Sequence, residues 1–261
     1  MGSLQFTDAQ LQQWLADFFW PFVRIGAALM VAPVFSVRQV PARWRVLLAV
    51  LITLLLQPLI PSSPVVDVFG AEGVMIALQQ VGIGAMMGFV LQLAFNALVF
   101  GGQAMAYSMG LGFAHMMDPA NGVQVPVVSQ YWLILAMLAF LLGNGHLLLL
   151  GSVAQSFYLL PVAFDGLSRA GLWGVVSWSS RLFAAGLLMA LPVIVALLLI
   201  NIGMGVVSRA APQLNIFSIG FPIILLAGFL VIWLTLPQVM RGFDQLVNEA
   251  LGLGVTLLQA R

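Results

Sequence analysis

Cysteine is absent from the 261 residues, and so is lysine: all nine basic side chains are arginine. The first absence excludes disulfides, thiol catalysis and cysteine-ligated metals, and it leaves the redox compartment open. Charge of either sign is scarce. Only 7% of residues are charged, against about 25% in a soluble domain. Such a chain cannot cover a water-facing surface, whereas 62% hydrophobic residues and a mean hydropathy of +1.10 suit hydrocarbon. The net charge of +1 points to neither nucleic acid nor an acidic ligand. The opening MGSLQFTDAQ lacks the basic patch of a secretory signal, so insertion is expected to be driven by internal apolar segments. No G-x-S-x-G, P-loop, dinucleotide fingerprint or HExxH is present, and the eight acids form no convincing pair. The sequence therefore offers no chemistry for catalysis, no cofactor signature and no metal set. His115 and His146 read as structural or interfacial, with Asp118 isolated.

What is present is a series of long apolar runs. A spanning helix needs about 20 mostly apolar residues. Six stretches qualify or nearly so, at roughly 18–36, 45–60, 74–100, 131–160, 181–207 and 214–236. The expected fold is all-α: a single integral membrane domain over 1–261, built of kinked helical hairpins. Pro33, Pro58, Pro161, Pro192 and Pro222 fall within or at the ends of these runs. Each removes a backbone donor, and in a membrane such breaks survive only where protein or a wet cavity satisfies the freed carbonyls. Gly84-x-x-x-Gly88 lets helices approach closely. Residues 1–17 form an amphipathic start. Thr7-x-x-Gln10 reads as a capping box, and Leu11, Trp14, Leu15, Phe18 and Phe19 share one helical face. This piece either lies along the interface and turns in at Pro21, or simply extends the first helix. Arg38, Arg43 and Arg45 between the first two runs favour a cytoplasmic loop there, which with six conventional spans puts both termini outside.

Three polar features interrupt the apolar background. Arg24 lies inside the first run, where an arginine faces water or a partner. It reads as part of a polar pathway, or as a structural or snorkelling residue. Gln92, Asn96 and Gln103 fall on one helical stripe, suited to lining a wet conduit or to bonding between helices. Segment 101–130 fits no ordinary span. It holds Gly101, Gly102, Gly110, Gly112 and Gly122 with Met105, Met109, Met116 and Met117, and Asp118-Pro119 starts a turn. Glycine permits unusual backbone shapes and methionine fills irregular gaps, so the segment suits a deformable constriction; a re-entrant or surface loop is the plainer alternative.

Several motifs, in order and spacing, resemble one family across nearly the whole chain. They are Arg24-Ile25-Gly26 with Ala32-Pro33-Val34-Phe35, and Gly110-Leu111-Gly112-Phe113-Ala114 followed by Asp118-Pro119. Gly143-Asn144-Gly145-His146 and Ser156-Phe157-x-x-Leu160-Pro161 follow. The most specific is the run Arg209 to Pro222, which contains Pro212-Gln213-Leu214-Asn215. Together they look like the FliR family of type III secretion export-gate subunits.

The resemblance implies a fold that looks like a fusion of FliP-like and FliQ-like parts and completes a helical ring. It implies that helices reading as transmembrane become lifted hairpins in the gate, and that unfolded flagellar proteins cross the inner membrane at the basal body through it. FliP, FliQ, an FlhB-type switch protein, the exported substrates and membrane lipid are the implied partners. Carried onto this sequence, Gly110, Leu111, Gly112, Phe113, Ala114, His115, Met116 and Met117 would plug the channel, with Asp118 and Pro119 as hinge. Arg209, Pro212, Gln213 and Asn215 read as a structural corner, with proline ending one helix and Asn215 capping the next. An injectisome gate subunit is the nearest alternative, and the segment after Asp118-Pro119 looks more flagellar. A secondary transporter needs midplane ionisable groups and related halves, of which only Arg24 is convincing. An intramembrane enzyme needs His115, His146 and Asp118 to converge.

Overall fold

The computed structural model describes residues 7–37, 40–68, 70–112, 127–164, 166–210 and 216–259. Among them are eight α-helices, one short 3-10 helix and no strand. The helices are α1 (Asp8–Val31), α2 (Ala42–Leu56), α3 (Ala71–Ser108), α4 (Val127–Leu142), α5 (Gly145–Leu159), α6 (Arg169–Trp178), α7 (Ser180–Ala210) and α8 (Ile216–Gln259). The protein is thus an all-α chain of long apolar helices. Five segments are long and apolar enough to cross a membrane, and the bent pair α4–α5 makes a sixth.

Several boundaries differ from those expected. The capping box forms, with the Thr7 N–H donating to Gln10 Oε1 at 3.1 Å, but α1 does not turn at Pro21. It continues as one helix, because the turn before Pro21 needs only a single donor less. Leu11, Trp14 and Leu15 stay exposed on its outer face, while Ala16 and Trp20 are buried. The run 131–160 is not one straight helix. It breaks at Gly143–Asn144, where Asn144 adopts the left-handed conformation at φ 56° and its carbonyl accepts from the N–H groups of Leu147 and Leu148. The last run does not stop at 236. Helix α8 goes on through Pro237, Arg241, Asp244 and Glu249 to Gln259, giving 44 residues. Segment 101–130 also contracts: α3 carries Gly101 to Ser108, and α4 begins at Val127.

The chain divides into two compact units. The first comprises 1–93, 144–179 and 248–261. Its core holds Trp20, Ile25, Leu29, Ile76, Ile83 and Phe157. Helix α3 lies on the backbone of α1: a Cβ at Gly84 would fall 2.1 Å from the Arg24 carbonyl oxygen, and one at Gly88 would fall 2.6 Å from that of Ala28. Only glycine allows this approach, so the GxxxG pair does pack on protein. A polar clasp ties α1 to the chain after α2, where Asp17 Oδ1 accepts from the Ser63 N–H at 2.7 Å and from Gln13 Nε2 at 2.9 Å. Leu257 near the end of α8 sits on α6 at Gly174.

The second unit comprises 94–143 and 180–247. Phe95 lies at its centre, edge-to-face with Phe140 at 5.5 Å and with Phe243 at 5.0 Å. Small residues again bring backbones together. A Cβ at Gly186 would meet the Ala97 carbonyl oxygen at 2.5 Å, and one at Gly101 would meet that of Gly186 at 2.7 Å.

Candidate functional site

The end of α3 is built as a helix stop. The Gly110 N–H donates to the Tyr107 carbonyl and the Leu111 N–H to that of Ala106, both at 3.0 Å, and Gly110 has φ +80°. This pair of bonds around a left-handed glycine is a Schellman cap, which satisfies carbonyls that a helix end leaves orphaned. The methionines before it anchor the stop. Met105 receives a 3.3 Å contact at its Sδ from Trp132 Nε1, and Met109 packs against Gly228 so closely that a Cβ there would fall 2.7 Å from Met109 Cε. Both methionines are buried. They belong to the anchored end of a helix and not to a loop. Of the residues expected to plug a channel, Gly110, Leu111 and Gly112 therefore follow directly from a fixed point. Phe113, Ala114, His115, Met116, Met117, Asp118 and Pro119 lie outside the described residues.

Arg24 is fully buried in the first unit. Its Nε donates to Gln80 Oε1 at 2.7 Å, one terminal nitrogen to Ser156 Oγ at 3.1 Å, and the other to the Leu160 carbonyl at 2.9 Å. The guanidinium also lies 4.1 Å over the Phe157 ring, an arrangement that favours a cation electrostatically. The arginine thus joins α1, α3 and α5. Two motifs far apart in sequence, at Arg24 and at Ser156-Phe157-x-x-Leu160-Pro161, meet in this cluster. Gln80 was the missed partner. Its signal was legible, as a glutamine inside an otherwise apolar run.

Gln92, Asn96 and Gln103 are all half-buried along α3, and Gln92 and Asn96 each make a polar contact. Arg209 stands exposed in the last turn of α7, where its charge suits the helix carbonyls. Pro212, Gln213 and Asn215 fall outside the described residues, between the end of α7 at Ala210 and the start of α8 at Ile216. His146 is half-buried on α5; His115 and Asp118 are not described. Among the described residues no three His, Cys, Asp or Glu side chains come together to hold a metal.

The family model described as bacterial export proteins, family 1, matches residues 15–250. The flagellar biosynthetic protein FliR of Pectobacterium carotovorum subsp. carotovorum is 38% identical over 255 residues, which is 98% of this chain and 97% of that one. FliR of Escherichia coli (strain K12) is 37% identical, covering 96% and 95% of the two chains. FliR of Bacillus subtilis (strain 168) is 28% identical over 82% and 84%. The match runs through the Arg24 cluster, the glycine stop at the end of α3 and the junction of α7 with α8, and the chain belongs to the FliR family of bacterial export proteins.

Proposed function

We propose that this protein is a subunit of the flagellar type III export gate in the bacterial inner membrane. With FliP-type and FliQ-type subunits it forms the channel through which unfolded flagellar proteins pass, and an FlhB-type protein meets it there. Similarity to FliR proteins over nearly the full length of both chains carries this reading. The named relatives are flagellar, which favours a flagellar gate over an injectisome one. The apolar faces left open on α7 and α8 fit contact with partner subunits.

Within the gate, residues 110–117 act as the seal, with Asp118 and Pro119 as their hinge. A channel in an energised membrane must not leak, since each charge crossing 100 mV dissipates about 2.3 kcal/mol. A hydrophobic constriction closes by dewetting, and it needs flexible apolar side chains on a bendable backbone. Leu111, Phe113, Met116 and Met117 supply the former, and Gly110 and Gly112 the latter. The segment leaves a helix end that is locked by Met105 and Met109, so it has a fixed base from which to move. Deleting 110–117 should leave the complex with FliP and FliQ assembled but make it permeable to small ions. Phe113→Ser with Met117→Ser should give a weaker leak. The readout is ion flux across the inner membrane of cells carrying the complete gate. Unchanged flux in an assembled deletion variant would remove the sealing role, and failure to co-purify with FliP and FliQ would remove the gate reading itself.

A further inference from the structure

The connection from α1 to α2 encloses an apolar groove of about 380 Å³, walled by Leu29, Val34, Phe35, Trp44, Leu48 and Leu51, with Arg45 beside them. Charge is concentrated at its mouth. Arg43 and Arg45 stand in the first turns of α2, at the helix end whose unsatisfied N–H groups already carry positive partial charge. Within α2 nothing offsets it: the N-cap is Pro41, no side chain caps the helix, and the first turn holds no acid. Arg45 donates to the carbonyls of Val37 at 2.6 Å and Ser36 at 3.3 Å, yet its Nε is buried without a partner. Arg43 is exposed, and no hydrogen bond or ion pair joins it to a described residue. The groove opens outward from a helix of which only 11% is buried, and Trp44 is exposed at its rim.

Two arginines at the positive end of a helix whose first turn holds no acid suit an anion. An outward-facing apolar trough beside them requires a hydrocarbon chain. We propose that the groove holds one acyl chain of an anionic phospholipid, whose phosphate is received by Arg43, Arg45 and the N-terminus of α2. Guanidinium forks match phosphate oxygens bidentately, and a tryptophan at headgroup depth is where membrane proteins place that side chain. Arginine between the first two spans also favours the cytoplasmic leaflet, where anionic lipids concentrate.

The test uses the full-length chain in the assembly in which it leaves the membrane. Phosphatidylglycerol or phosphatidylcholine with brominated acyl chains is titrated in, and quenching of tryptophan fluorescence is followed. The Trp44→Phe protein serves as the blank that isolates Trp44. Phosphatidylglycerol should quench at a mole fraction roughly tenfold lower than phosphatidylcholine. Arg43→Gln, at an exposed side chain outside the fold's own hydrogen bonds, should cut that preference several-fold, and Arg43→Lys should keep most of it. Inorganic phosphate at the same concentration should not relieve the quenching. Equal quenching by the two lipids, an unaltered preference in Arg43→Gln, or relief by inorganic phosphate would each overturn the proposal. So would a Trp44 that neither lipid reaches, which would show the groove to be filled by protein.

Discussion

A guanidinium carried into the interior is tolerable only if its donors are occupied, and Arg24 meets that condition with Gln80, Ser156 and the Leu160 carbonyl. Removing it strands three acceptors, two of them on side chains that then have no use for burial. Arg24→Ala should therefore destabilise the chain by about 3 kcal/mol or more, since a hydrogen bond to a charged group is worth roughly 1.5–3 kcal/mol. Ser156→Ala loses the bond from Arg24 and the one its hydroxyl donates to the Val153 carbonyl, and should cost about 2 kcal/mol. Arg24→Lys keeps the charge but gathers its donors on one nitrogen in place of the three that reach Gln80, Ser156 and Leu160, and should fall between the two. Thermal unfolding in one detergent ranks the series. An Arg24→Ala protein as stable as the parent would mean that the cluster holds nothing together.

Among the helices, close backbone approach is the recurring device. It makes glycine substitutions informative in opposite directions. Gly84→Val places side-chain atoms where the backbone of α1 already lies, so α1 and α3 must separate. The expected result is loss of most folded, monodisperse protein on size exclusion. Gly203→Ala in α7 meets open space and removes a weak helix former. It should stabilise the isolated chain by about 0.4–1 kcal/mol. A Gly203→Ala protein that melts earlier than the parent would show that this helix face is not open.

Composition and run length made the helices legible, as did the capping box at Thr7, the glycine pair at 84 and 88 and the partnered Arg24. What stayed hidden depended on context. Pro21 looks like a breaker, but inside α1 it removes one bond that the surrounding turns outlast. Asn144 breaks the fourth run through a left-handed backbone that hydropathy does not register. Met105 lies in α3 and Met109 in the turn that ends it, held by Trp132 and Gly228, and those contacts come from distant parts of the sequence. The resemblance supplied a role for residues 110–117, and the geometry adds a fixed base only at Gly110 to Gly112.

For the molecule as a whole, the exposed apolar surface is the dominant fact. Along α8 only 17% of the most apolar stretch is buried, with Phe221, Leu226, Phe229, Leu230, Trp233 and Leu234 all outward. Expressed without FliP and FliQ, the chain should have a markedly shorter half-life in pulse-chase labelling than when the three are produced together. Equal half-lives would argue against a partner covering these faces. The length of α3 has a different consequence. Its 38 residues rise about 57 Å, more than the ~33 Å of the thickest cell membranes. Its exposed apolar side chains, however, run only from Val74 to Phe89, about 23 Å, with Tyr107 alone beyond them. Hydrocarbon could therefore meet only the first half of this helix, and the second half takes its surroundings from the protein packed on it.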